Sequence, residues 1–342
     1  MPSPARNSEG GGSRVRFGVS LAPHPAAEQV ALAERVEALG FDSLWCGDHI
    51  SFHTPLYESL TLLAFYAART RRIRVGTAVY LLALRHPTVV AKITSTLDTL
   101  SGGRLIFGVG VGGENPKEFE ACGIPYTERG ARVNEGIEVL RALWTQTPAS
   151  FSGRFVKFEG VSIDPKPVQP GGPPIWIGGR SDAALRRAGT LGDGWVSYVV
   201  TADRYRQSVE KIHKAAAAAG RDPRRVETAH LAFITVGRDY EKAKAAWVKR
   251  LSQRYNQDFG PLADKYGFIG TGAQCLEQLE RFVEAGCRYF LLNAACEVPD
   301  EAEQLELLAS EILPHFRPKR FPPHPDLSPG GGEDKGEGPK SR

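Results

Sequence analysis

Short apolar runs alternate along this chain with longer segments in which apolar residues return every three or four positions. Val15–Leu21, Ser43–Cys46, Ile73–Val79 and Arg104–Gly110 are of the first kind, which suits strands covered on both faces. Pro25–Leu39, Leu56–Ala68, Pro87–Leu100 and Ala131–Trp144 are of the second kind and predict helices. In the first of these Val30, Ala33, Val36 and Leu39 fall on one side, and Gly40 follows the end. The third opens with a proline, which a first helical turn accepts. Strand starts near 15, 43, 73 and 104 recur about every 30 residues, the length of one strand–helix–strand step.

Residues 150–163 break the rhythm and predict a hairpin, with Phe151, Phe155 and Phe158 flanking Ser152-Gly153. The alternation then resumes. Ile175–Ile177, Trp195–Val199, Val226–Val236 and Tyr289–Asn293 read as strands. Ser181–Thr190, Ala202–Ala219, Tyr240–Tyr255, Ala273–Ala285 and Asp300–Phe316 read as helices, and residues 256–271 as an insertion rich in Gly, Asp and aromatics. Eight strand–helix steps predict an α/β fold, a (β/α)8 TIM barrel with insertion segments. A doubly wound open sheet is the alternative, but it has fewer strands and splits into halves.

Composition adds little chemistry but removes several function classes. The 342 residues are 42% hydrophobic and 24% charged, an ordinary balance for a globular chain in water. No run approaches the ~20 apolar residues of a membrane helix, and MPSPARNSEGGGSR has no apolar core of a secretory signal. The net charge of +4 is mild and scattered, which speaks against nucleic acid as a partner. Cys46, Cys122, Cys275, Cys287 and Cys296 are odd in number and widely spaced, without C-x-x-C. They predict free thiols in a reducing cytoplasm. Residues 1–13 and 321–342 are rich in Gly, Ser and Pro and predict disordered tails around one domain, 14–320.

In a barrel of this kind the chemistry sits at the C-terminal ends of the strands. The second strand ends in Trp45-Cys46-Gly47-Asp48-His49. A carboxylate and an imidazole there can orient a ring or pass a proton, or equally bond the loop backbone. His53 follows four residues later and could join His49 on a metal, but H-E-x-x-H lacks its Glu and no further cluster answers it. The third strand ends in Gly76-Thr77-Ala78-Val79, small enough for a flat ligand to approach. The fourth ends in Gly108-Val109-Gly110-Val111-Gly112-Gly113-Glu114. Its formal G-x-G-x-x-G is followed by ENPKEFEACGIP, which reads as a loop, so a dinucleotide site is not expected. The glycines suggest crowding by a broad planar ligand, with Glu114 as a candidate acid or base. The fifth strand passes through Gly178-Gly179 and Arg180 into the cap Ser181-Asp182, a helix start that suits a phosphate. Tyr198 and Asn293 stand at further strand ends and could wall an aromatic ligand. Together these ends describe a site for a flat, phosphate-tailed cofactor such as a flavin.

Five segments carry a resemblance: ALGFDSLWCGDHI, RHPTVVAKITSTLDTLSGGRLIFGVGVGG, ERGARVNEGIEVLRALW, FEGVSIDPKPVQ and PPIWIGGRSDAALRRAGTLGDGW. In this order, from about Val15 to Phe316, the chain resembles the luciferase-like monooxygenase superfamily, and within it the F420-dependent oxidoreductases. The resemblance implies a barrel that is often a homodimer, with FMN or the 5-deazaflavin F420 at the strand ends. It implies a non-prolyl cis peptide at Ala78–Val79 against the cofactor ring, His49 near the reactive centre, and a phosphate loop of Gly178, Gly179, Arg180 and Ser181. Trp45, Gly110 and Gly112 complete the expected cofactor contacts, and Asp48 and Glu114 join His49 as catalytic candidates. Some F420 members carry a glutamate directly after G-x-G-x-G, where this chain has Gly113 and places Glu114 one residue later.

The expected function is F420-dependent hydride transfer to or from a small organic substrate. One alternative is a monooxygenase using FMNH2 and O2, which would need a separate reductase. Others are a metal-dependent barrel hydrolase on Asp48, His49 and His53, and a barrel that binds a flavin without catalysis.

Overall fold

The computed structural model describes residues 14–317, so the expected tails, 1–13 and 321–342, lie outside the described residues. Eight parallel strands close into a ring: β1 (Arg16–Ser20), β2 (Ser43–Cys46), β3 (Arg74–Thr77), β4 (Leu105–Gly110), β5 (Ile175–Gly178), β6 (Gly194–Tyr198), β7 (Glu227–Val236) and β8 (Tyr289–Ala294). Each strand pairs with its neighbour in sequence, and β8 closes on β1 through Arg16↔Tyr289 to Val19↔Leu292. Helices cover the outside, so both faces of each strand are buried, and the strands read as continuous apolar runs for that reason.

The interior below the strand ends is filled rather than hollow. Trp45, Ile106, Trp176, Tyr289 and Leu291 form one buried cluster there. The two indoles lie 5.3 Å apart, and Tyr289 meets Trp176 edge-on at 5.2 Å. Ser43 satisfies the polar atoms of this layer, its Oγ accepting from Trp45 Nε1 at 2.6 Å and from the Tyr289 hydroxyl at 2.7 Å. Burial pushes the Tyr289 phenol up to about 12, which keeps it a donor. Glycines make room for the rings: a Cβ on Gly76 would stand 2.5 Å from the Trp45 ring, and one on Gly194 would stand 2.4 Å from the Trp176 indole nitrogen.

The structure departs from the sequence reading in four places. The helix expected from Leu56 begins at Ser59, because the Glu58 carboxylate accepts from the Leu60 and Thr61 amides. The segment after β4, read as a loop, holds a helix at Pro116–Ala121, capped by the Asn115 side chain on Lys117 N. The insertion 256–271 ends in a further parallel strand, Phe268–Gly270, paired with the far end of β7. The last helix is α-helical only over Glu301–Leu307, then widens to a π turn and closes in a 3₁₀ turn containing Pro314. The hairpin is present, Ala149–Ser152 against Lys157–Val161, and its turn is held by Glu135, which accepts from the amides of Arg154, Phe155 and Val156.

Candidate active site

The strand ends surround a cavity of about 420 Å³, within the range of small-molecule sites. Val79 forms its floor. The Ala78–Val79 peptide is cis, as the resemblance implies. A Cβ on Gly110 would lie 2.3 Å from Val79 Cγ2, and one on Gly178 would lie 2.5 Å from Val79 Cγ1. On Gly108 it would lie 1.9 Å from the Thr77 carbonyl oxygen. The glycines of β4 and β5 therefore admit the chain's own β3 segment. Gly110, Gly112 and Gly178 also line the cavity, together with Ala78 and Val79, so the space for a ligand lies beside these glycines and above Val79.

His49 stands at one wall, stacked on Phe52 at 4.0 Å. Its Nδ1 lies 2.9 Å from Glu118 Oε1, and the other Glu118 oxygen accepts from the amides of Ile50 at 2.6 Å and Ser51 at 3.3 Å. The carboxylate is fully buried, and these donors keep it tolerable there. An Nδ1–H donated to Glu118 leaves Nε2 as the nitrogen presented to the cavity. Glu114 Oε2 lies 3.7 Å from that Nε2, and its side chain is 43% exposed. One residue late in the sequence, Glu114 still reaches the imidazole. On its other side stands Tyr198, whose phenol is pushed up by burial and by the Glu114 charge. Glu118 was missed in the sequence. Its only signal was the cap Asn115-Pro116 ahead of it, which placed it on a helix rather than in a loop.

Three expected contacts take other roles, and a fourth is redirected. Asp48 lines the cavity but its charge is bound by Arg85, in a two-pronged pair of 2.8 and 2.5 Å, with the Leu81 amide at 2.9 Å. It ties the β2 end to the segment after β3 and does not pair with His49. Trp45 belongs to the filled layer beneath and does not line the cavity. Arg180 is exposed, donates to the Val199 carbonyl at 2.9 Å and lies over the Tyr198 ring. Ser181 caps the helix Asp182–Leu191 through Ala184 N at 3.3 Å. Of the expected phosphate loop, Gly178 and Gly179 line the cavity, and Gly179 has φ +121°, a conformation that favours glycine. With Asp48 held by Arg85 and His49 by Glu118, Asp48, His49 and His53 do not form a metal-ligand set. Among the described residues no three His, Cys, Asp or Glu side chains converge on a metal position.

Arg129 supplies a cation that sequence reasoning also missed. It opens the helix Arg129–Thr145, lies 3.9 Å from the Tyr126 ring and donates to the Tyr126 carbonyl at 2.8 Å. Its Nε is buried and has no partner among the described residues. An apolar floor, a glycine edge at a helix start and an unpartnered guanidinium nitrogen fit a flat ring with an anionic tail.

The luciferase-like monooxygenase family profile matches residues 3–289. Over 317 residues the chain is 25% identical to an F420-dependent glucose-6-phosphate dehydrogenase of Intrasporangium calvum, covering 83% of this chain and 92% of that protein. Over 233 residues it is 30% identical to a 5,10-methylenetetrahydromethanopterin reductase of Methanolobus tindarius, covering 68% of this chain and 69% of that protein. The crystal structure of monooxygenase RslO1 from Streptomyces bottropensis superposes with a TM-score of 0.78 at 26% identity, over 88% of this chain and all of that one. The chain belongs to the luciferase-like monooxygenase family, on the branch that holds the F420-dependent oxidoreductases, and is an oxidoreductase for a flavin-type cofactor.

Proposed function

We propose that the protein is an F420-dependent oxidoreductase that moves a hydride to or from a small organic substrate. The observation that carries this reading is the imidazole of His49, with Nδ1 on Glu118 and Nε2 toward the cavity above Val79. A bound deazaflavin would supply the hydride chemistry. The protein's own groups handle the proton. Glu118 holds the ring in one orientation, Nε2 takes or gives the substrate proton, and Glu114 links that nitrogen to solvent. Gly178, Gly179 and Arg129 would hold the anionic tail. The named activities of the Intrasporangium and Methanolobus relatives support F420.

The likeness to monooxygenase RslO1 favours a second reading, in which FMNH2 and O2 are used and a separate reductase is the partner. Two further features belong to either reading. All five cysteines are free, as in a reducing cytoplasm. The helices Ser59–Arg69 and Pro87–Ser101 expose Phe65, Val89, Ile93 and Leu100, the last three spaced four and seven apart, a strip that a second copy would cover in a homodimer.

The test is titration of the purified protein with F420 and, separately, with FMN, its mass in solution being read on the same sample. The expected result is F420 affinity at least about tenfold above that for FMN. The reverse order selects the monooxygenase reading, and binding of neither overturns both.

A further inference from the structure

The helix Tyr240–Tyr255 follows β7 and brings Arg254 to the cavity mouth. Arg254 lines the cavity beside Phe52 and Tyr255, and it also lines a small recess formed by Leu21, Ala22 and Gly47 after β1 and β2. In a ring of eight strands β1 and β2 stand opposite β5 and β6. Arg254 is therefore across the mouth from the Gly178–Gly179 turn. The guanidinium lies beside Gly47, 4.0 Å from where a Cβ on that residue would stand.

Among the described residues this guanidinium forms no ion pair. Its Nε is buried without a partner among the described residues. The carboxylates near that end of the helix are engaged elsewhere: Glu297 with Lys249 at 2.8 Å, and Glu301 with His24 at 2.6 Å and the Ala22 amide. One turn back on the same helix stands Arg250, partly buried, with no ion pair among the described residues. Burial, and then the Arg254 charge, lower its pKa below the usual arginine range, against the opposing charges of Glu301 and Glu297. Two like charges one turn apart repel, and although Glu301 and Glu297 stand near Arg250, neither arginine forms an ion pair among the described residues. Next to them Phe52, stacked on His49 and edge-on to Tyr255 at 6.1 Å, offers an apolar wall.

We propose that Arg254, with Arg250 behind it, receives a carboxylate or phosphate of the substrate, so that the enzyme acts on anionic organic molecules held between this arginine and His49. The inference rests on the cavity holding cofactor and substrate together, with the cofactor's own anion on the Gly178–Gly179 side. Substrate anion and reacting carbon then sit at opposite ends of the Phe52 wall.

Three probes of one shape test it: benzoate, phenyl phosphate and the neutral benzamide, titrated into the full chain with and without F420. At least one anion is expected to bind about tenfold or more tighter than benzamide, as charge-assisted hydrogen bonds require. The tighter anion identifies carboxylate or phosphate as the natural group. Arg254→Met, which keeps the side-chain length, is expected to erase the preference with F420 affinity unchanged, and Arg254→Lys to restore part of it. Equal affinity for all three probes in the natural chain, or a preference that survives Arg254→Met, overturns the proposal. So does loss of F420 affinity in Arg254→Met, which would give the arginine to the cofactor tail. If the natural chain prefers the anion yet binds neither F420 nor FMN, the cofactor reading fails and the anion subsite stands.

Discussion

At His49 the two ring nitrogens have different neighbours, and this difference decides what the residue can do. Nδ1 is committed to a buried carboxylate, and Nε2 is left for chemistry. His49→Ala is expected to keep the fold and lower turnover by about 10²–10⁴-fold. Glu118→Gln keeps the shape but removes the charge, and is expected to lower kcat and displace its pH profile. A change in melting temperature alone, with the profile unmoved, would make Glu118 structural. The sequence showed His49, Asp48 and Glu114 as candidates because their residue types and strand-end positions are visible there. It did not show their partners. Glu118 lies 69 positions from His49, and Arg85 lies 37 from Asp48. Only the side-by-side pairing of β2, β3 and β4 brings the loops after them onto one stretch of rim. No periodicity encodes which carboxylate meets which cation.

The elements themselves were legible where burial is regular. Strands covered on both faces cannot hide their apolar runs, and long helices repeat their stripe. The helix Pro116–Ala121 has only six residues, too few to show a stripe. The glycines of β4 and β5 were visible, but their reason was not, since absence of a side chain does not say what fills the space. Here it is Val79. Gly110→Ala is expected to destabilise the protein by about 1–3 kcal/mol through overpacking. Adding Val79→Ala should recover part of that loss, read from urea midpoints of the single and double variants. Strictly additive losses would show that the new methyl does not meet Val79.

The barrel as a whole carries two buried histidines that respond oppositely to pH. His230 accepts from or donates to Ser197 Oγ at 2.8 Å inside the packed wall, and burial depresses it to about 3. The unfolded chain, with an ordinary value near 6.5, binds the proton that the folded chain refuses. Stability is therefore lost as pH falls from about 6.5 toward 3, at up to about 1.4 kcal/mol per pH unit. His24 is raised, chiefly by its hydrogen bond to Glu301, so its contribution is full below about 6.5 and fades as pH rises through its folded value. His230→Phe should retain more of its neutral-pH stability at pH ~5 than the natural chain does, measured by urea unfolding at both values. Equal losses would mean that His230 is protonated without cost. Beneath the site, the layer of Trp45, Trp176 and Tyr289 has a consequence for timing. It closes the cavity from below. A cofactor lying on Val79 is then expected to enter before the substrate and leave after its product, an ordered pattern that product-inhibition kinetics would read. That order of arrivals would follow from a stack of aromatic rings that does not line the cavity.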